Sequence, residues 1–399
     1  MESDLLLAPL VAVEAALGAR VMARFLRGAG GATLTLAAAE PPPDQPDDQR
    51  IGVVLPTLNE ARRVGPCLDG LLAQGSAVAE IIVVDTGSTD GTQALVARYQ
   101  QRETRLRLLD ASPIPPGWNG KAWGLECGLR ALDDGCQWAL TVDADTRPAA
   151  GLARALLAHA MRSEEVAFSV ATRQEVDGLG EALLHPAMLT TLVYRFGPPG
   201  RAITRVSQAQ ANGQCSLYRR DALAAVGGFA AVRDSICEDV TLARLLIAKG
   251  AAVGFYEAGD LIRVRMYEGW RATWRGWLRS LPMRDRFSGA AGFVGLLEVT
   301  FVQALAPLTA LALLATGRRR PRLSLLRTAL LGVTLALTAL RLGTLVGVAR
   351  AYTRRPWSFW LSPLCDLPVA LGLWASALRR RHKWRGQLLT RGAARRGEE

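Results

Sequence analysis

Four short apolar runs constrain the chain most: I-G-V-V-L-P from Ile51, E-I-I-V-V-D from Glu80, R-L-R-L-L from Arg105 and W-A-L-T-V-D from Trp138. Each is separated from the next by a stretch long enough for one helix. Runs that are apolar on both faces suit strands covered on both sides. Their alternation with helices implies mostly parallel pairing in an α/β sheet with helices on both faces. In such open sheets, ligands sit beyond the C-terminal ends of the strands. That rule singles out residues 56–60, 85–90 and 143–145, each just past a strand end.

The most informative of these stretches is Q-W-A-L-T-V-D-A-D-T-R-P, residues 137–148. Side chains alternate along a strand, so Asp143 and Asp145 face the same way if the chain is still extended there. Two carboxylates at one strand end form a hard-oxygen platform for Mg²⁺ or Mn²⁺, which take further ligands from phosphates and water. The plain alternative is a solvated turn. The turn D-T-G-S-T-D-G-T, residues 85–92, lacks G-x-G-x-x-G spacing and opens on Asp85, a residue better suited to a base or ribose than to a pyrophosphate. Its structural alternative is a capped helix start, with Ser88 or Asp90 as N-cap. Before it, T-L-N-E-A-R-R-V is expected to open a helix running to about Gln74. Further on, Glu238 and Asp239 begin an amphipathic helix, where acids are favoured by the helix dipole. A carboxylate there is also placed to act as a general base toward a hydroxyl.

The net charge of +12, from 48 Lys plus Arg against 36 Asp plus Glu, calls for an anionic partner. The excess lies beyond Arg263, where Arg-rich clusters separate apolar runs in the manner of membrane flanks. No aromatic-interleaved basic stripe or zinc-finger spacing is present, so nucleic acid is not an expected partner. Six scattered cysteines without C-x-x-C spacing point to a reduced compartment. A cleaved signal peptide is not expected. The division read from the sequence is an N-terminal apolar segment (1–40) with an uncertain anchor at 5–26, a proline-rich linker (41–50), a catalytic domain (51–262), a Trp/Arg-rich interfacial segment (263–288), about three transmembrane segments (289–378) and a basic tail (379–399). The spans are expected at 289–316, 323–349 and 357–378, each long enough for about 30 Å of hydrocarbon. Glu298, Arg327, Arg341 and Asp366 interrupt them and count against the middle span in particular. With a cytoplasmic catalytic domain, three full spans put the basic loop 318–322 and the tail outside, against the positive-inside rule, so one of them is expected to be re-entrant or interfacial.

Taken together, P-T-L-N-E (56–60), V-V-D-T-G-S-T-D-G-T (83–92), G-K (120–121), V-D-A-D (142–145) and E-D (238–239) resemble the inverting family-2 glycosyltransferases of GT-A fold. P-I-P-P-G-W-N-G-K-A-W (113–123), R-M-Y-E-G-W (265–270) and K-W-R-G (383–386) resemble its membrane-attached subgroup, which includes hopene-associated, carotenoid and ceramide-type enzymes. Two departures stand out: Thr86 replaces the second acid after the strand-two Asp, and Q-x-x-R-W is missing, which argues against a polysaccharide synthase. The resemblance implies a nucleotide-diphosphate sugar donor held by Pro56, Asn59, Glu60, Asp85, Ser88, Lys121 and Asp143. It implies a divalent cation, Mg²⁺ or Mn²⁺, on Asp145 and Asp143. Asp239 is the implied general base with Glu238 beside it, and Gly213, Gln214 and Trp270 lie on the acceptor side. The implied acceptor is a lipid or terpenoid hydroxyl, and the implied location is the cell (inner) membrane, multi-pass, with the catalytic domain in the cytoplasm. The alternatives are a polyprenyl-phosphate sugar synthase and a non-catalytic membrane protein that binds nucleotides.

Overall fold

A computed structural model describes residues 7–35, 50–317, 324–379, 381–384 and 387–390. The linker expected at 41–50, apart from Arg50, the basic loop 318–322 and much of the tail lie outside the described residues. Helix α1 spans Leu7–Gly28, and the sheet then opens with β1 (Ile51–Thr57), α2 (Val64–Leu72), β2 (Val78–Asp85), α3 (Thr92–Gln100), β3 (Leu106–Asp110), α4 (Gly120–Ala131) and β4 (Trp138–Val142). Alternation divides each strand between two cores. Val53, Leu55, Ile81, Val83 and Leu140 enter one, while Val54, Ile82, Val84 and Ala139 enter the other. The runs in β1, β2 and β4 are therefore interior strands, as their two-sided hydrophobicity requires, whereas β3, with Arg107 and Asp110 exposed, forms the edge of the sheet.

After β4 come β5 (Thr146–Pro148), α5 (Leu152–Arg162), β6 (Ala167–Ala171), β7 (Arg173–Gln174), α6 (Leu179–Phe196), β8 (Arg201–Ile203), β9 (Cys215–Arg219), α7 (Arg220–Ala225), α8 (Glu238–Ala248), β10 (Val253–Glu257) and β11 (Ile262–Val264). The large sheet has eight strands in the order β3-β2-β1-β4-β9-β6-β10-β8. It is mostly parallel, but β9 runs antiparallel between β4 and β6, and β8 antiparallel to β10. The reversal of β9 has a local consequence. Its first residue, Cys215, pairs with Val142 at the end of β4, which brings Gly213 and Gln214 beside Asp143. A smaller sheet, β5-β11-β7, flanks this edge, and β11 crosses the domain boundary expected at residue 262.

The helix expected to open at T-L-N-E begins only at Val64. Residues 59–61 are held in a turn instead, because their N–H groups bond to side chains of the next loop. The Asn59 N–H donates to Ser88 Oγ (2.7 Å), that of Glu60 to Thr92 Oγ1 (2.8 Å) and that of Ala61 to Asp90 Oδ2 (3.0 Å). Asn59 itself adopts φ +56°.

Beyond the sheet lie α9 (Trp270–Ser280), then α10 (Gly289–Glu298), which continues through a π-helical turn (Val299–Leu305) into α11 (Ala306–Gly317). They are followed by α12 (Leu325–Val348) and by a 3₁₀ stretch (Trp357–Cys365) leading into α13 (Asp366–Leu378). The segments Gly289–Thr316, Leu325–Ala351 and Trp357–Leu378 are long and apolar enough to cross a membrane. Arg341 and Asp366 within them are matched to one another. Fully buried Arg341 donates from Nε to Asp366 Oδ2 (2.7 Å) and from Nη2 to Oδ1 (3.0 Å), and Gln303 Nε2 adds a third bond to Oδ1 (2.7 Å). Glu298 accepts from Arg20 and Arg24 of α1 at 2.7–3.0 Å, and Leu17 and Val21 of α1 pack with Val302 and Leu337. Glu298, Arg341 and Asp366 thus have the partners that charged groups in a bundle interior require.

Helix α6 joins this bundle to the sheet. Leu184, Met188 and Leu192 pack against Trp277, Leu296, Val299, Val369 and Leu373, and full burial of each such side chain contributes about 1.5–3 kcal/mol.

Replacing Arg341 with methionine leaves the Asp366 carboxylate buried without its cation. Loss of about 3–5 kcal/mol of stability is expected, read as a lowered Tm of the detergent-solubilised chain. The double variant Arg341→Met, Asp366→Leu is expected to regain most of it. Equal melting of the single and double variants would contradict the pairing.

Candidate active site

At the C-terminal edge of the sheet, Lys121 in the first turn of α4 is placed by Asn119, whose side chain caps the helix by accepting from the Lys121 N–H (3.0 Å). Its ammonium lies 2.8 Å from Asp143 Oδ1, 2.9 Å from Glu238 Oε1 and 3.4 Å from the Gly213 carbonyl. The Gly213 N–H donates to Asp239 Oδ2 (2.6 Å). A Cβ at 213 would stand 2.7 Å from Lys121 Nζ and 3.2 Å from Asp239 Oδ2, so a side chain there would push the ammonium out of its present place. Segments distant in sequence, 119–121, 143, 213 and 238–239, are thereby drawn into one cluster.

Asp143 and Asp145 reach this cluster differently from the expectation. The strand stops at Val142, and the next residues turn. The turn is closed by the Thr146 N–H and hydroxyl, which donate to the Asp143 carbonyl at 3.1 and 2.8 Å. From the other side, the Arg265 N–H donates to the Asp145 carbonyl (3.1 Å). Both carboxylates line one cavity of about 340 Å³, together with Pro56, Glu60, Lys121, Gly213, Gln214, Glu238 and Asp239.

Three expected nucleotide ligands lie elsewhere. Asp85 is buried under its own loop. Its oxygens accept from the N–H groups of Gly87 and Ser88, the Ser88 and Thr57 hydroxyls and Gln93 Nε2. Asn59 Oδ1 accepts from the Thr89 N–H (2.9 Å). Ser88 bridges Asn59 and Asp85 and does not cap α3, whose N-cap is Gly91. These residues latch the two loops behind the cavity wall and stand outside its lining. Trp270 is also misplaced by the sequence reading. It is 53% exposed and rests against Gly180 at the start of α6, whereas Trp277, two turns on, is buried and lines the cavity.

Other residues at the site were not singled out from sequence. Arg63 Nη2 pairs with Glu60 Oε2 at 2.7 Å, and its Nη1 lies 4.0 Å from Asp145 Oδ2 and donates to the Met266 carbonyl (3.3 Å). Its spacing of three from Glu60 was the available signal. Tyr267 lies under α9, where Gly276 lets the helix approach its ring; a Cβ there would stand 2.2 Å from it. Leu189 and Leu192 of α6 add an apolar wall.

The electrostatics follow from crowding acids in a buried place. Burial, then the neighbouring Asp143 charge, pushes Asp145 up to about 7. Burial and Glu238 push Asp239 up to about 7, with Lys121 acting in opposition. Burial also raises Asp143, against the pull of Lys121. Burial works against the Lys121 charge, yet Asp143, Glu238 and Asp239 hold it well above the ordinary lysine value. Asp145 Oδ1 is buried and accepts no hydrogen bond. Among the described residues, no three His, Cys, Asp or Glu side chains form a closed metal cage. An orphaned carboxylate oxygen beside a second carboxylate fits a hard divalent ion that completes its shell from phosphate and water.

Residues 52–227 match the family model described as glycosyl transferase family 2. The lipopolysaccharide core biosynthesis glycosyltransferase LpsC of Rhizobium meliloti (strain 1021) is 34% identical over 124 residues, which is 31% of this chain and 42% of that protein. The mannosyltransferase PcManGT of Pyrobaculum calidifontis, solved in complex with GDP-Man and Mn²⁺, superposes with a TM-score of 0.51 at 21% identity, over 92% of this chain and 99% of that one. Residues 52–227, under half of the chain, are thus similar to glycosyl transferase family 2, and the fold is GT-A.

Proposed function

We infer that the chain is a membrane-bound inverting glycosyltransferase that moves a sugar, a hexose on this reading, from a nucleotide diphosphate to a lipid or terpenoid hydroxyl. The observation that carries this reading is the single cavity in which the Lys121-linked carboxylates face an apolar wall of Leu189, Leu192 and Trp277. Charged donor chemistry and an apolar acceptor both need room there, and both find it. Support for the donor comes from the family match and from a neighbour of the same fold solved with GDP-Man and Mn²⁺.

In this reading, Pro56, Glu60 and Lys121 border the donor, with Asn59, Asp85 and Ser88 shaping the loops behind it. Asp145 and Asp143 would hold Mg²⁺ or Mn²⁺, whose charge offsets that of the departing diphosphate. Asp239, anchored by the Gly213 N–H, takes the proton of the acceptor hydroxyl. The hydroxyl oxygen bonds to the anomeric carbon as the bond to the diphosphate breaks, which inverts the centre. Glu238 keeps Lys121 in place and raises the proton affinity of Asp239. Gln214 Nε2 is buried without a partner and borders the same cavity, which suits a donor to a sugar or acceptor hydroxyl. The proposed location is the cell (inner) membrane with the catalytic domain in the cytoplasm, where six free cysteines fit a reducing compartment.

Asp239→Asn is expected to cut transfer by about 10²–10⁴-fold, the usual worth of a general base, with nucleotide binding retained. Undiminished transfer would instead favour a phosphate acceptor, which needs no base. Because Asp239 works only when ionised, kcat is expected to fall as pH drops through about 7 and to level off above it, and a profile flat from pH 5.5 to 8 would count against the assignment. Protons and metal compete for Asp145, so apparent Mn²⁺ affinity should weaken by up to about tenfold per unit below pH 7. Asp145→Ala should abolish that dependence, as titration calorimetry would show.

A further inference from the structure

A second cavity, also of about 340 Å³, lies between the sheet and the membrane helices. Ala171, Thr172, Leu189, Gln210, Phe255 and Ala351 line both it and the catalytic cavity, so the two spaces share a wall and adjoin. The far side is formed by Phe25 of α1, Pro198, Pro199 and the Leu340, Gly343 and Gly347 face of α12. Gly343 and Gly347 are exposed, one helical turn apart, and a Cβ at either meets nothing within 4 Å. The opening is therefore on the face of a helix apolar enough to span a membrane. At the rim, Arg350 Nη2 pairs with Glu257 Oε1 at 2.7 Å, a charged pair at the end of the apolar stretch where a headgroup layer begins.

Resting on the glycosyltransferase reading above, we propose that this cavity holds the hydrocarbon tail of the acceptor. The acceptor is a lipid alcohol with an extended chain, which slides in from the bilayer past Gly343 and Gly347 with its hydroxyl leading toward Asp239. Three features favour a tail over any other occupant: mostly apolar walls, an opening toward lipid and continuity with the catalytic space. A soluble saccharide acceptor would make no use of the cavity. Burial of the tail holds the hydroxyl at the polar end, and each methylene enclosed adds to affinity.

The test photolabels the full chain in detergent with a long-chain fatty alcohol carrying a diazirine in its tail. Label is expected within residues 340–348 and around Pro198. Gly347→Phe, which fills the cavity, should reduce it by about tenfold, as if about two methylenes lost their burial. Leu342→Phe, on the exposed outer face of α12, should leave it unchanged. Label confined to Leu342 and Val346, or label indifferent to Gly347→Phe, overturns the proposal. A parallel assay follows transfer of radiolabelled sugar into organic-extractable lipid of membranes expressing each variant. Transfer that Gly347→Phe leaves intact sinks the tail site alone. No transfer by the unmodified chain sinks the glycosyltransferase reading and this inference with it.

Discussion

One ammonium group organises the chemistry of this protein. Lys121 sits between Asp143 and Glu238 and touches the Gly213 carbonyl, and without a cation there the acids of two distant segments would repel one another in a poorly solvated place. Mutual attraction in a buried setting is strong enough to offset the desolvation of such groups only when geometry and hydrogen bonding are good. Here, the capped start of α4 fixes the lysine backbone, and a glycine at 213 gives it room. Around it, burial and like charge push Asp145 and Asp239 up to about 7, with Lys121 pulling against both shifts.

The C-terminal edge of the sheet and the apolar helices are parts of one construction. Helix α6 belongs to the sheet domain by sequence, yet its buried face contacts α9, α10 and α13. Residues 265–267 after β11 reach the D-x-D turn, through the Arg265 N–H to Asp145 and the Met266 carbonyl to Arg63. A short run of backbone thus joins the start of α9 to Asp145 and Arg63. Helix α1 closes the assembly from the other end of the chain through Arg20 and Arg24 on Glu298.

Much of this was legible from the order of residues. Two-sided apolar runs specify interior strands, and the C-terminal-edge rule picks out the acids at 143–145. The first-turn acids at 238–239 are placed by helical periodicity alone. The antiparallel β9 was not legible, because strand direction leaves no mark on composition, and with it went the reason Gly213 and Gln214 approach Asp143. The inward role of Asp85, Asn59 and Ser88 was hidden for a related reason: loop side chains choose between ligand and neighbouring backbone N–H groups according to geometry that periodicity does not encode. Trp270 and Trp277 lie a heptad apart on the same face of α9. Which of them reaches the cavity depends on where along its axis α9 meets α6. The charges in the apolar runs read as defects until Arg341 and Asp366 are seen to be partners.

That last pair bears on how the molecule is made. A guanidinium in the middle of an otherwise apolar helix is poorly tolerated by hydrocarbon on its own, and the carboxylate that neutralises it belongs to the helix synthesised next. Until α13 is present, α12 therefore carries a buried cation without the carboxylate that it bonds in the folded chain. The two helices are consequently electrostatically complete only as a pair, and a chain truncated between them would leave Arg341 without its counter-charge.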